Sequence, residues 1–131
     1  MSILRRSLQR EHGQAVVELA LVLPFLILLL FGIIEAGRIY AAYQTVVAAS
    51  REGARWATLG APDDEIKARV QEAAPSLDAG LLDVKVEKGE LGETTLVTVT
   101  VRYPVDVMLP VVGRLLPDPV VVAGRTKMRI A

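Results

Sequence analysis

The chain has 131 residues and a formal net charge of zero, from 15 Lys/Arg and 15 Asp/Glu. That balance excludes a nucleic-acid binder working through bulk charge, and the length suits one small domain. Cysteine is absent, which removes a disulfide framework, a thiolate metal site and a lipidated cysteine and leaves the compartment open.

Residues 1–13 form a basic leader, with Arg5, Arg6 and Arg10 against Glu11, a net of +2. An apolar run follows from Ala15 to Ile34, 20 residues in which Glu18 is the only ionisable one. A membrane-spanning helix needs about 20 mostly apolar residues. A cleavable secretory signal has an apolar core of about 7–15 residues followed by small residues, whereas Glu35-Ala36-Gly37-Arg38 is a poor signal-peptidase site. Residues 14–35 are therefore expected to be a retained transmembrane helix. The basic cluster before it places the N-terminus in the cytoplasm and residues 36–131 outside.

Two residues in this run stand out. Glu18 is a carboxylate at the edge of a bilayer. On insertion scales it costs about 2.5–3.5 kcal/mol at mid-depth and less near the boundary. It is either a hydrated interfacial residue or the partner of a cation from another chain. Pro24 removes one helical hydrogen bond and should bend the helix locally. It is either a tolerated membrane proline or a kink that serves packing.

Helical periodicity continues past Ile34. Ala36, Ile39/Tyr40, Tyr43, Val46/Val47, Ser50, Gly53/Ala54 and Ala57 recur at three and four residues, as one apolar stripe does. One helix is thus expected from Gln14 to Leu59, stopped by Gly60-Ala61-Pro62. Asp63-Asp64-Glu65 opens a second, short helix to about Ala74; acids in a first turn suit the helix dipole, a simpler reading than a metal site. From Leu82 the period falls to two. Leu82, Val84 and Val86, a turn at Gly89–Gly92, then Val97, Val99, Val101 and Tyr103 predict a β-hairpin. A third strand is expected over Val120 to Ile130, with Arg125, Lys127 and Arg129 on one face. That face is either solvated or turned to an acidic partner. Three short strands need a cover, so the expected fold class is α+β: a long N-terminal helix, a short second helix and a small antiparallel sheet of about three strands. The apolar segment Val105–Leu116, between Pro104 and Pro117, has no clean period and is either core or a partner-facing loop.

Enzyme motifs are absent. The one histidine, His12, lies in the leader, so no Ser/His/Asp triad can form in the exported domain. There is no phosphate-binding loop, no dinucleotide fingerprint and no His/Cys cluster. The expectation is no catalysis, no cofactor, no metal, no nucleic acid and no small-molecule substrate.

The run Gly13-Gln14-Ala15-Val16-Val17-Glu18-Leu19-Ala20-Leu21-Val22-Leu23-Pro24 resembles the N-terminus of TadE-like proteins, minor pilins or pseudopilins of the tight-adherence (type IVc, Flp) pilus system. The likeness continues through Gly32–Arg38 and Ala48–Arg55 and weakens over the strands. It implies cutting by a membrane aspartyl prepilin peptidase between Gly13 and Gln14. Glu18 then becomes the fifth residue of the mature chain, where it pairs with a neighbour's N-terminal ammonium or guides entry into the assembly. It also implies that Pro24 lies where pilin helices kink or melt on packing. Major Flp subunits carry Glu-Tyr at this place and are much shorter; Glu18-Leu19 and the exported domain favour a minor pilin. The partners implied are the prepilin peptidase, other pilins and the inner-membrane assembly platform. The rival readings are a single-pass membrane-anchored binding module unrelated to pili and, less favoured, an envelope enzyme.

Overall fold

The computed structural model describes the backbone of residues 2–130 and the side chains of residues 11–130. The side chains of Arg5, Arg6 and Arg10, on which the orientation expectation rests, lie outside the described ones. Helix α1 runs Ser2–Thr58, starting well before the expected Gln14. Ile3 to His12 contain no helix breaker, and a single glycine at 13 costs a helix only about 0.5–1 kcal/mol. At the other end the chain closes as a Schellman motif. Gly60 has φ +81°, its N–H donates to the Ala57 carbonyl, and the Ala61 N–H donates to the Trp56 carbonyl.

The chain divides into two compact units, one through Glu35 and one from Ala36 onward. In the first, the described residues 11–34 are exposed almost throughout.

The second unit is the α+β fold expected. Helix α2 covers Asp63–Glu72, with Asp63, Asp64 and Glu65 in its first turn. Strands β1 (Asp83–Leu91), β2 (Thr94–Val105) and β3 (Val120–Ile130) form one sheet in that order. Both pairings are antiparallel. The hairpin turn is Gly92-Glu93, not Gly89–Gly92: Leu91 already pairs with Thr94 and Gly89 with Leu96. Gly92 has φ +63°, which suits the first central position of a tight two-residue loop. β2 also extends through Pro104, where only β3 flanks it, since β1 pairing ends at Arg102.

The central strand supplies the core. Val97, Val99 and Val101 are fully buried, together with Val46 and Ala49 of α1 and Ile66 and Val70 of α2. The buried face of α1 keeps Val46, Ser50, Gly53, Ala54 and Ala57 of the expected stripe, adds Ala42 and Ala49, and departs from it toward the N-terminus, where Ala36, Tyr40 and Tyr43 are exposed. The reason is clearance. A Cβ on Gly124 of β3 would stand 2.5 Å from the Val46 carbonyl oxygen and 2.7 Å from the Val47 Cα. A Cβ on Gly53 would stand 2.6 Å from Val70 Cγ2 and 3.1 Å from Val99 Cγ1. Tyrosines cannot enter so narrow a gap, so the helix turns its small residues to the sheet. One polar bridge crosses it. Ser50 Oγ donates to the Val47 carbonyl at 2.8 Å and, its one proton used, accepts from Thr126 Oγ1 at 2.7 Å.

A charged clasp joins α1 to α2. Glu52 accepts from Arg55 (2.7 and 3.2 Å) and from Trp56 Nε1 (2.8 Å). The Arg69 guanidinium lies 4.2 Å from the Trp56 ring centroid, within cation–π range. The hydrogen bonds from Arg55, then Trp56, hold the Glu52 carboxyl below its ordinary value of 4.5. Lys85, 2.9 Å from Glu87, does the same for Glu87.

Trp56 is the only tryptophan, so its fluorescence reports unfolding of this unit. Gly124→Ala meets rigid backbone and should destabilise the reconstituted full chain by about 3 kcal/mol or more, whereas Gly53→Ala meets a movable Val70 and should cost about 1–3 kcal/mol. Equal effects in urea titrations would contradict the backbone contact. A carboxyl with a depressed folded pKa contributes stability above its unfolded pKa and loses it as pH falls through the folded one. Unfolding midpoints should therefore fall as pH drops below 4.5, and less steeply in Glu52→Gln.

Candidate functional site

The sequence singles out one short stretch of α1: Gly13, Gln14, Glu18 and Pro24. All four are exposed. A Cβ on Gly13 would meet nothing within 4 Å. Gln14 Nε2 donates to Glu18 Oε1 at 3.2 Å, the i to i+4 spacing that puts two helical side chains on one face. The structure thus brings Gln14 and Glu18 together. Helix α1 continues through Pro24 without interruption. Pro24 has no N–H, so the Ala20 carbonyl lacks its usual donor there.

These residues sit on a helix long and apolar enough to cross a membrane. Fifteen large apolar side chains between Val16 and Ile34 are exposed. At about 1.5–3 kcal/mol for each one covered, an apolar surrounding for them is worth tens of kcal/mol. In water such a surface is an aggregation hazard; in lipid it is the ordinary surface of a spanning helix. The α-helix also satisfies its backbone internally, as a bilayer requires.

A second carboxylate emerges that sequence reading passed over. Glu35 is only 3% exposed. It falls on the helix face that continues through Ile39, Ala42 and Val46, at steps of three and four. The i, i+4, i+7 spacing was the available signal.

The other sequence candidates are dispersed. Arg125, Lys127 and Arg129 are exposed on the outer face of β3, opposite Thr100, Thr98 and Leu96 of β2. An open depression of about 320 Å³ there is lined by Asp83, Lys85, Glu87, Arg102 and Arg125, so the face is mixed in sign. Among the described residues no cluster of three or more His, Asp or Glu could hold a metal. In the Val105–Leu116 segment, Val105 is buried, while Met108, Val111, Leu115 and Leu116 are exposed.

Arginine at the centre of a spanning helix costs about 2.5–3.5 kcal/mol per residue. The double substitution Leu26→Arg/Leu29→Arg should therefore move the protein from the carbonate-resistant membrane fraction to the soluble or degraded fraction. Unchanged retention would show that residues 15–34 do not hold the chain in lipid.

No curated protein and no solved structure matches the chain. One family does: the model described as TadE-like protein matches residues 13–55. That segment starts at Gly13, takes in the Gln14–Glu18 pair, Pro24 and the whole apolar run, and ends in the buried small-residue face of α1. Over it, the chain is similar to TadE-like proteins.

Proposed function

We propose that this protein is a minor pilin or pseudopilin that supports assembly of a tight-adherence type IV pilus. The family match over residues 13–55 carries the reading, and the exposed apolar helix fits it. In this reading the leader stays in the cytoplasm, residues 14–35 cross the inner membrane, and residues 36–131 fold outside. A prepilin peptidase cuts after Gly13. The protein acts by packing its helix against other pilins and the assembly platform, not by catalysis.

The geometry around the cut suits this. Gly13 is exposed and a Cβ there would meet nothing within 4 Å, which suits the approach of a protease to its backbone. Cleavage would turn the Gln14 nitrogen into an ammonium one helical turn from Glu18. An ionised carboxylate has about four acceptor positions, and Gln14 Nε2 occupies one of them. The rest remain for a neighbour's ammonium. Removing that charge pair from water is costly, so the pair would select the register of neighbouring helices more than it would stabilise them.

Intact mass and N-terminal sequence of the protein extracted from its own host membranes test the proposal. A chain beginning at Gln14 is expected; one beginning at Met1 or Ser2 would instead support a membrane-anchored module outside any pilus. Gly13→Phe should abolish cutting and leave membrane insertion intact, because nothing packs on that position. Glu18→Ala should still be cut but leave few or no pili by electron microscopy, and normal piliation would remove the role given to Glu18.

A further inference from the structure

We propose that the loop between β2 and β3, Asp106–Asp118, is a second membrane contact that lies in the headgroup layer. This rests on the reading of residues 15–34 as the anchor. Four observations within the second unit carry it. First, Arg38 Nη1 donates to the Asp106 carbonyl at 3.4 Å, which holds the start of the loop beside α1. Arg38 is four residues past Ile34, the end of the apolar run. Four residues span about 6 Å in a helix and no more than about 14 Å extended. The headgroup region is itself about 5–8 Å deep on each side, so Arg38 cannot lie far from it.

Second, the loop is closed on itself. The Val107 N–H donates to Asp118 Oδ1 at 3.4 Å. The Gly113 N–H donates to Leu109, and the Leu115 and Leu116 N–H groups donate to Val112. These bonds give the loop a defined local shape. Third, its outward side chains are apolar: Val111, Leu115 and Leu116 are exposed, Leu115 at 82%. Arg114 is the only charged residue between Asp106 and Asp118, and it too is exposed, on a stem long enough to reach phosphates. Fourth, Tyr40 and Tyr43 are exposed on the same stretch of α1, with ring centroids 6.5 Å apart. Exposed tyrosines just beyond an apolar span are the usual furniture of a bilayer interface. The occupant is therefore lipid.

The chain lacks cysteine, so single labels are simple to place. Full-length Leu115→Cys, Leu26→Cys and Leu91→Cys proteins, each carrying an environment-sensitive fluorophore, are reconstituted in phosphatidylcholine/phosphatidylglycerol vesicles containing nitroxide-bearing lipids. Leu91 is exposed at the hairpin end of the sheet, opposite the loop. Loss of fluorescence and a blue shift at positions 26 and 115, but not at 91, are the expected result. Quenching at 26 with none at 115 overturns the loop contact and leaves the anchor standing. No quenching at 26 overturns the anchor and the loop contact together. Disulfide dimers through Leu115→Cys without lipid quenching assign the surface to a second copy and overturn the proposal.

Discussion

The fold of residues 36–131 depends on how close α1 comes to the sheet. At Gly124 the helix backbone stands where a side chain would otherwise be. That approach decides the rest. It selects Ala42, Ala49, Ser50, Gly53, Ala54 and Ala57 as the buried face, because larger residues would push the layers apart. It brings Val46 onto β3 and Val99 beneath Gly53. It also seats α2, since Ile66 and Val70 reach the same gap from the other side. Packing this tight gains dispersion contacts that a looser gap would forfeit. The Ser50–Thr126 bridge can exist only at this separation, and it satisfies both hydroxyls inside an apolar interface.

The same helix meets two different demands along its length. From Ala36 to Thr58 it carries a narrow face of small residues, with charged residues such as Arg51 and Arg55 turned to solvent. From Ala15 to Ile34 it is apolar all round, which is the pattern of a helix surrounded by a single kind of medium and not of one packed on one side. The two stretches therefore need different surroundings although they share one secondary structure. Glu35 stands at their junction, the one buried carboxylate among the described residues.

Much of this was legible in the sequence because period and punctuation agreed. β3 follows the alternation from Val120 to Ile130, and α2 begins where Pro62 and three acids announce it. The misses have physical causes. Residues Gly89–Gly92 read as turn chemistry because of their two glycines and a charge, but pairing with β2 keeps Gly89 to Leu91 in the strand and moves the turn to Gly92-Glu93. The expected stripe fails only toward its N-terminal end, because periodicity counts Tyr40 and Tyr43 as apolar while ignoring their size. A glycine inside a strand is a known sign of close backbone approach, so Gly124 offered a clue to that size limit. The Gln14–Glu18 hydrogen bond was implicit in the i, i+4 spacing. The burial of Glu35 is signalled only by its i, i+4, i+7 spacing to Ile39 and Ala42, which competes with the reading of a carboxylate at the end of an apolar run as its polar border.

The glycines of α1 separate folding from function more sharply than any motif. Gly53 has a reason inside the monomer, since a side chain there would strike Val70 and Val99. Gly13, Gly32 and Gly37 have none: a Cβ at each would meet nothing within 4 Å. Each glycine in a helix interior costs about 0.5–1 kcal/mol relative to alanine. The folded chain gets nothing back for these three in its own packing. All three lie in the segment that matches the TadE-like family. In the proposed reading, Gly13 would give a protease access to bare backbone. For Gly32, a small residue on a lipid-facing helix would let another helix approach closely. In that reading, processing and helix packing would use residues that the monomer leaves unexplained.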